Sequence, residues 1–215
     1  MEIVTSDLHI GHANIIRFCN RPYKDLDDMH ESIMKVYDSM PDTADTVVWN
    51  LGDVWFGKSL RNASFDILRN DVKRMRGKHR RLKLILGNHD FQMLKYMPVA
   101  SKGFNSVKFF FEAVGFDDVY DHPILVDNRF VLSHEPVPLS IDSNLRNIHG
   151  HTHDKSVDRL YFVQDGEGPI VDPNFYVNAC WDFNNMFTYY DLDSLKERLN
   201  QYDREKSIHT TSPVL

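Results

Sequence analysis

Five times along this chain an apolar segment of strand length stops at a side chain able to bind a metal ion. Residues 3–5 give way to Ser6-Asp7-Leu8-His9, residues 46–51 to Gly52-Asp53, and residues 82–86 to Gly87-Asn88-His89-Asp90. Further on, residues 129–132 run into Ser133-His134, and residues 147–149 into Gly150-His151-Thr152-His153. Short apolar runs bounded by turn residues read as buried strands. In open α/β sheets, sites gather at the carboxyl ends of the strands, so a chain of this pattern is constrained to bring those ends together. If the segments stay extended, Asp7 and His9 project to one face, as do His151 and His153, and one strand end then offers two ligands. Gly11, Gly52, Gly87 and Gly150 read as the points where the backbone turns sharply beside them.

The segments between these strands have a different period. Met29, Ile33, Val36, Tyr37 and Met40 recur at helical spacing behind Asp27 and Asp28 and are stopped by Pro41. Leu60, Ile67, Leu68, Val72 and Met75 predict a second helix, closed by Gly77. Strand, helix, strand, helix, strand is the order of a layered α/β core with a parallel sheet. After Asp117 the texture changes. Short β-like pieces at 119–120, 124–126, 129–132, 147–149, 160–163, 176–180 and 186–190 predict a second, more antiparallel sheet. A last helix follows Asp193, with Leu195, Leu199 and Tyr202 on one face. With neither repeat nor linker in view, residues 1–204 read as one domain and 205–215 as a flexible tail.

Composition narrows the partners. Lys and Arg number 25 against 31 Asp and Glu, a formal charge of −6, so the overall field does not draw in nucleic acid or anionic lipid. Lys73, Arg74, Arg76, Lys78, Arg80, Arg81 and Lys83 form a local basic run, but it lies at the start of the strand that ends near Asn88. At about 3.3 Å per residue most of that charge falls far from the motif residues, and a solvated face is the expectation. No apolar run approaches the ~18 residues of a membrane span, and the first residues carry no basic leader. Cys19 and Cys180 lie far apart without CxxC spacing, which suits a reducing, cytoplasmic setting rather than a disulfide framework.

Together, Asp7-Leu8-His9, Gly52-Asp53, Gly87-Asn88-His89-Asp90, Ser133-His134 and Gly150-His151-Thr152-His153 resemble the five signature blocks of the calcineurin-like metallophosphoesterases. The likeness runs from about Ile3 to His153, and Val177-Asn178 to Asn185 is similar to the strand that follows in small bacterial and phage members. It implies an α/β fold of two packed mixed β-sheets flanked by helices, a four-layer sandwich. It also implies two divalent metal ions. By position Asp7, His9 and His153 would hold the first, Asn88, His134 and His151 the second, and Asp53 would bridge them.

Imidazole and carboxylate donors without a thiolate suit Mn²⁺, Fe²⁺, Zn²⁺, Ni²⁺ or Co²⁺, and manganese is the expected working ion. Two such ions roughly 3.5–4 Å apart would supply a bridging hydroxide for in-line attack at phosphorus. His89 would be the general acid at the leaving oxygen, with Asn88 and His12 as substrate contacts. The expected substrate is a small phosphate ester, a phosphodiester or a phosphomonoester; the motifs do not choose between them, and the lack of a large capping insertion tilts the reading slightly toward diesters. The alternatives are a nuclease on the same site and a catalytically silent, metal-loaded scaffold. Many family members carry a second Asp three residues after the bridging one to orient this histidine; here that position is Phe56, which leaves the support of His89 open. Arg17 and Arg21 read as solvated, and Trp55 and Phe56 as core.

Overall fold

Alternation of buried faces builds the first sheet. The computed structural model describes residues 1–139, 143–154, 176–183 and 186–210, with the backbone alone for 202 and 205–210. Strands β1 (Glu2–Thr5), β2 (Val47–Asn50) and β3 (Arg81–Ile85) pair in parallel, with Ile3 opposite Val48 and Val48 opposite Leu82. Ile3, Val48 and Leu82 face a helical layer, while Val4, Trp49 and Ile85 face the second sheet. Both faces are thus buried, as expected of a parallel sheet.

The edges of this sheet differ from the sequence reading. β4 (Asp118–Tyr120) pairs in parallel with β3, and β9 (Tyr190–Asp191) pairs antiparallel with β1, giving the order β4-β3-β2-β1-β9. Residues 119–120 and 186–190 read as parts of the second sheet, yet the strands formed there close the first. The reason is edge satisfaction: β1 and β3 would otherwise present unpaired backbone groups. A strand of two or three residues carries too little pattern to say which edge it will cover.

The second sheet runs β5 (Ile124–Val126), β6 (Phe130–Ser133), β7 (Arg146–His149) and β8 (Tyr176–Asn178) in that spatial order. Only β5 and β6 are antiparallel, joined through Asp127 and Asn128, both at φ 53. β6, β7 and β8 are parallel to one another, so the expected antiparallel character holds for a single pair. Parallel pairing sends the carboxyl ends of β6 and β7, and hence His134 and His151, to the same edge. The segment 160–163 and Asn185 lie outside the described residues, as does the side chain of Tyr202.

Helices α1 (Ala13–Phe18), α2 (Leu26–Ser39), α3 (Phe65–Arg76), α4 (Met93–Tyr96) and α5 (Val107–Val114) contribute buried residues to the core on the outer side of the first sheet. In α2 the Asp25 side chain accepts from the Asp28 N–H, and Asp27 and Asp28 complement the helix dipole. α3 starts at Phe65 rather than at Leu60, and Ile67 is exposed. Its inner face is Leu68, Val72 and Met75, each stabilising by about 1.5–3 kcal/mol through burial. Helix α6 (Leu192–Thr210) lays Leu192, Leu195 and Leu199 into the core between the two sheets. Asp203 ties it to Arg129 and Arg146 of the second sheet. Its backbone is helical through 205–210, and residues 211–215 lie outside the description.

The basic run is largely engaged with acids. Arg74 pairs with Glu31 and Asp38, Arg76 with Asp117, and Arg81 and Lys83 with Asp118. Arg80 departs from the solvated reading: it is buried and donates to the carbonyls of Tyr37, Met40 and Met75. Among the described residues no helix is long and apolar enough to cross a membrane.

Candidate metal centre

The turns that carry the motif residues are not extended. Asp7 and His9 have φ of 58° and 51°, Asp53 55°, and His151 and His153 67° and 52°. This corrects the extended-chain argument: the paired residues sit on left-handed turns, and Asp7 and His9 meet each other while His151 turns to Asn88 and His153 to Asp7. Such a conformation costs a non-glycine residue on the order of 1–3 kcal/mol and persists only where the surroundings over-determine it. Here they do. The Asp7 N–H donates to Gly52 O, His9 N–H to Asp53 O and Ile10 N–H to Val54 O, so the loop after β1 zips onto the loop after β2. The Trp181 N–H donates to Ser6 O and the His151 N–H to Asp7 Oδ2, which stitches the second sheet's loops to the first, while the Gly150 N–H donates to His134 O within the second sheet.

Gly52, Gly87 and Gly150 answer two demands. Gly52 turns at φ +100°. Closeness matters at all three: a Cβ on Gly52 would lie 2.7 Å from Gly87 Cα, one on Gly87 2.7 Å from Asp53 N, and one on Gly150 2.5 Å from Asp7 Oδ2.

These constraints bring all seven expected ligands together. Asp7 Oδ1 is 3.5 Å from His9 Nε2 and 3.9 Å from His153 Nε2. Asp53 Oδ2 lies 3.7 Å from His9 Nε2 and 3.6 Å from His134 Nε2. Asn88 Oδ1 is 3.0 Å from both His134 Nε2 and His151 Nδ1. Asp53 therefore stands between an Asp7–His9–His153 group and an Asn88–His134–His151 group. His134 is oriented by its Nδ1 on Leu51 O at 2.8 Å, and His153 by its Nδ1 on the Asp182 carboxylate at 3.0 Å. In both, the second ring nitrogen is left for the centre.

The electrostatics ask for cations. Two carboxylates are buried side by side, and burial together with the Asp7 charge pushes Asp53 well above the usual carboxylate range. Burial also works to raise Asp7, but the imidazoles of His9, His134 and His153 outweigh it and hold that carboxyl well below its usual value. Burial drives His9 down to about 3, leaving a neutral imidazole with a free lone pair. For His153 burial opposes the charge, yet Asp182, Cys19 and Asp7 lift it to about 11, so an ion bound there would displace the Nε2 proton to gain that lone pair. Asp7 Oδ1 and both ring nitrogens of His9 are buried without a hydrogen-bond partner. Orphaned buried atoms of this kind are rare in a folded chain, and a divalent ion held by Asp7 Oδ1 and His9 Nε2 would satisfy two of the three. The residues fit the metal centre that the motifs imply.

Four supporting residues went unread in the sequence. Asp182 accepts from His153 and from Arg21, which is itself buried, not solvated as expected, and donates to the carbonyls of Asp7 and Leu8 at 2.7 Å each. Cys180 Sγ donates to Asp7 Oδ2 at 3.2 Å. Asp90 is fully buried and accepts from the N–H groups of Asp53, Val54 and Gly87. Asp90 could have been flagged from its place in Gly87-Asn88-His89-Asp90. Nothing in local spacing pairs Asp182 with Arg21 across 161 positions.

His89 and His12 lie on one side of the centre. The His89 N–H donates to Asp53 Oδ1 at 2.9 Å, and its Nε2 is 3.9 Å from Asp53 Oδ2. Its ring meets His9 edge-on at 5.1 Å and Phe56 at 5.2 Å. Phe56 also stacks on His12 at 3.9 Å, so this half-buried ring holds two site histidines rather than joining the core as Trp55 does. His12 stands at the N-cap position of α1, but its side chain makes no capping bond.

Two mixed sheets with helices outside, and a set of Asp, Asn and His converging at their strand ends, define a class. The calcineurin-like phosphoesterase family matches residues 3–200, and the chain belongs to it. The match takes in the five motif blocks and the later likeness over 177–185 and runs on to residue 200. Membership means metal-dependent phosphoester hydrolysis at a dinuclear centre, and the ligand groups described above supply candidates for it. The chain is 26% identical over 161 residues to an uncharacterized protein of Methanocaldococcus jannaschii, covering 74% of this chain and 72% of the relative. It shares its fold with the crystal structure of a protein of unknown function from Aquifex aeolicus, at a TM-score of 0.55 and 19% identity, covering 92% of this chain and 98% of that one.

Proposed function

We propose that this protein is a phosphoric ester hydrolase acting on a small phosphate ester. In this reading Asp7, His9 and His153 hold one ion, Asn88, His134 and His151 hold the other, and Asp53 is shared. Two divalent ions at such a centre lower the pKa of water and neutralise charge on phosphoryl oxygens. The protein's own residues do the rest. Asp182 and the Leu51 carbonyl fix the tautomers of His153 and His134, so that the lone pairs point inward. His89, held between His9 and Phe56, donates a proton to the leaving oxygen. His12 and Asn88 contact the phosphoryl group. Manganese is the favoured ion, since the donors are nitrogen and oxygen only. The free thiols Cys19 and Cys180 suit a reducing, cytoplasmic setting.

The observation that carries this reading is the pair of orphaned atoms, Asp7 Oδ1 and His9 Nε2, buried 3.5 Å apart. The test is a metal-resolved assay. Stripped protein reloaded separately with Mn²⁺, Fe²⁺, Co²⁺, Ni²⁺ or Zn²⁺ is given 4-nitrophenyl phosphate and bis(4-nitrophenyl) phosphate. Hydrolysis that is greatest with Mn²⁺ and vanishes in Asp53→Asn supports it. Inactivity of the loaded protein with every ion and both esters overturns it.

A further inference from the structure

A groove of about 370 Å³ opens beside the candidate centre and shares Asn88 and His134 with it. That volume lies within the range of small-molecule sites. Its lining is largely apolar: Ile85, Leu86 and Pro136 are buried, while Phe91, Val137 and Pro138 are more open. Phe91 is 51% exposed, a large aromatic face on the groove. The charged lining residues are Asp121 and Glu135, and His122 is tied to Asp121 at 2.8 Å. No lysine or arginine is among the described lining residues. Such a surface welcomes an uncharged planar group and repels a second phosphate.

Asn88 and His89 are neighbours in sequence, yet their side chains diverge. Asn88 Oδ1 turns to His134 and His151 at 3.0 Å, whereas the His89 ring turns to His9 and Phe56. His89 does not line the groove. An ester oxygen protonated by His89 therefore departs away from the groove, and the groove is left for a substituent that stays on phosphorus.

We propose that the groove between Phe91 and the 136–138 segment is the subsite for the retained substituent of a phosphodiester, and that this substituent is an uncharged planar organic group. The inference rests on the dinuclear reading above and on His89 as the acid. It makes the substrate a small diester, not a monoester and not a nucleic acid strand, whose next phosphate would meet Asp121 and Glu135.

Phe91→Ala removes an exposed side chain and tests the proposal in two ways. In the loaded enzyme, the ratio of kcat/KM for bis(4-nitrophenyl) phosphate to that for 4-nitrophenyl phosphate should fall roughly two- to tenfold, through KM of the diester. An equal fall for both esters would place the leaving group in the groove and overturn the assignment. The second readout needs no turnover: an amide NMR titration of the full chain with diphenyl phosphate, with and without Zn²⁺. Shifts at Phe91 and Val137 that weaken in Phe91→Ala support the groove, even if neither ester is hydrolysed and the catalytic reading fails. No shift there, or a stronger response to a single-stranded oligonucleotide, overturns it.

Discussion

The two halves of the centre are built differently. Around Asp7, the ligand atoms face one another at 3.5–3.9 Å and find no hydrogen bonds, while a dense outer ring of Asp182, Arg21 and Cys180 holds the residues from behind. Around Asn88, the ligand atoms satisfy each other, since Asn88 Oδ1 is 3.0 Å from His134 and His151, and those two rings are 3.1 Å apart. The first half is preorganised and unsatisfied; the second is satisfied by contacts that an ion has to break. The lesson is that a cation gains more in the Asp7 half. Binding at the two positions is expected to be unequal, with the Asp7 half filling first.

The largest effect expected is at the residue both halves share. Asp53→Asn should abolish turnover and reduce the metal content measured by elemental analysis, whichever half fills first. Next is His89→Ala, which should lower kcat by about 10²–10⁴ while retaining bound metal, because on the proposed reading it removes the proton donor and no ligand. Unchanged kcat would dismiss His89 as the acid. Asp90→Ala probes the frame beneath both halves. It strips three buried N–H groups of their acceptor, at about 1–3 kcal/mol for each unsatisfied group, and a large drop in denaturation midpoint is the expected reading.

Asp182→Asn sharpens the comparison most directly. Loss of the carboxylate behind His153 should weaken one ion by about 10–100-fold and leave the other nearly unchanged in a calorimetric titration. Equal weakening of both ions would erase the distinction between the halves. The smallest effect lies outside both. His30 Nε2 is 3.0 Å from Asp71, and that hydrogen bond raises the imidazole above its ordinary value near 6.5. The stabilisation is fully present below the unfolded-state value and is lost as pH rises through the folded one. His30→Gln should therefore reduce stability at pH 6 more than at pH 8.5, by chemical denaturation at each pH.

Much of the centre was legible because ligand chemistry is local. Asp7 and His9, Gly52-Asp53, Asn88-His89, His134, and His151 with His153 each announce themselves by residue type at the end of an apolar run, and all of them converge in space. The conformation that converges them was not legible. Left-handed φ at Asp7, His9, Asp53, His151 and His153 is held by hydrogen bonds from other loops; Asp and His enter that region more readily than most side chains, but residue type alone does not say where they will. Phe56 illustrates the same limit: beside an apolar strand it reads as core, and only the placement of His12 and His89 makes it a support.

The fold divides along the same line. The alternation of helical and strand patterns through α2 and α3 determined the helical layer and the parallel heart of the first sheet, because a helix between two neighbouring strands makes them run parallel. The edge assignments of β4 and β9 and the parallel run of β6 to β8 were decided by tertiary pairing, since two to four residues hold no information about their partner. Sequence alone marked the side chains that the proposed function assigns to the chemistry. Tertiary structure decided how they are held, because Arg21 reaching Asp182 and Asp90 reaching Asp53 are contacts that only the folded chain can make.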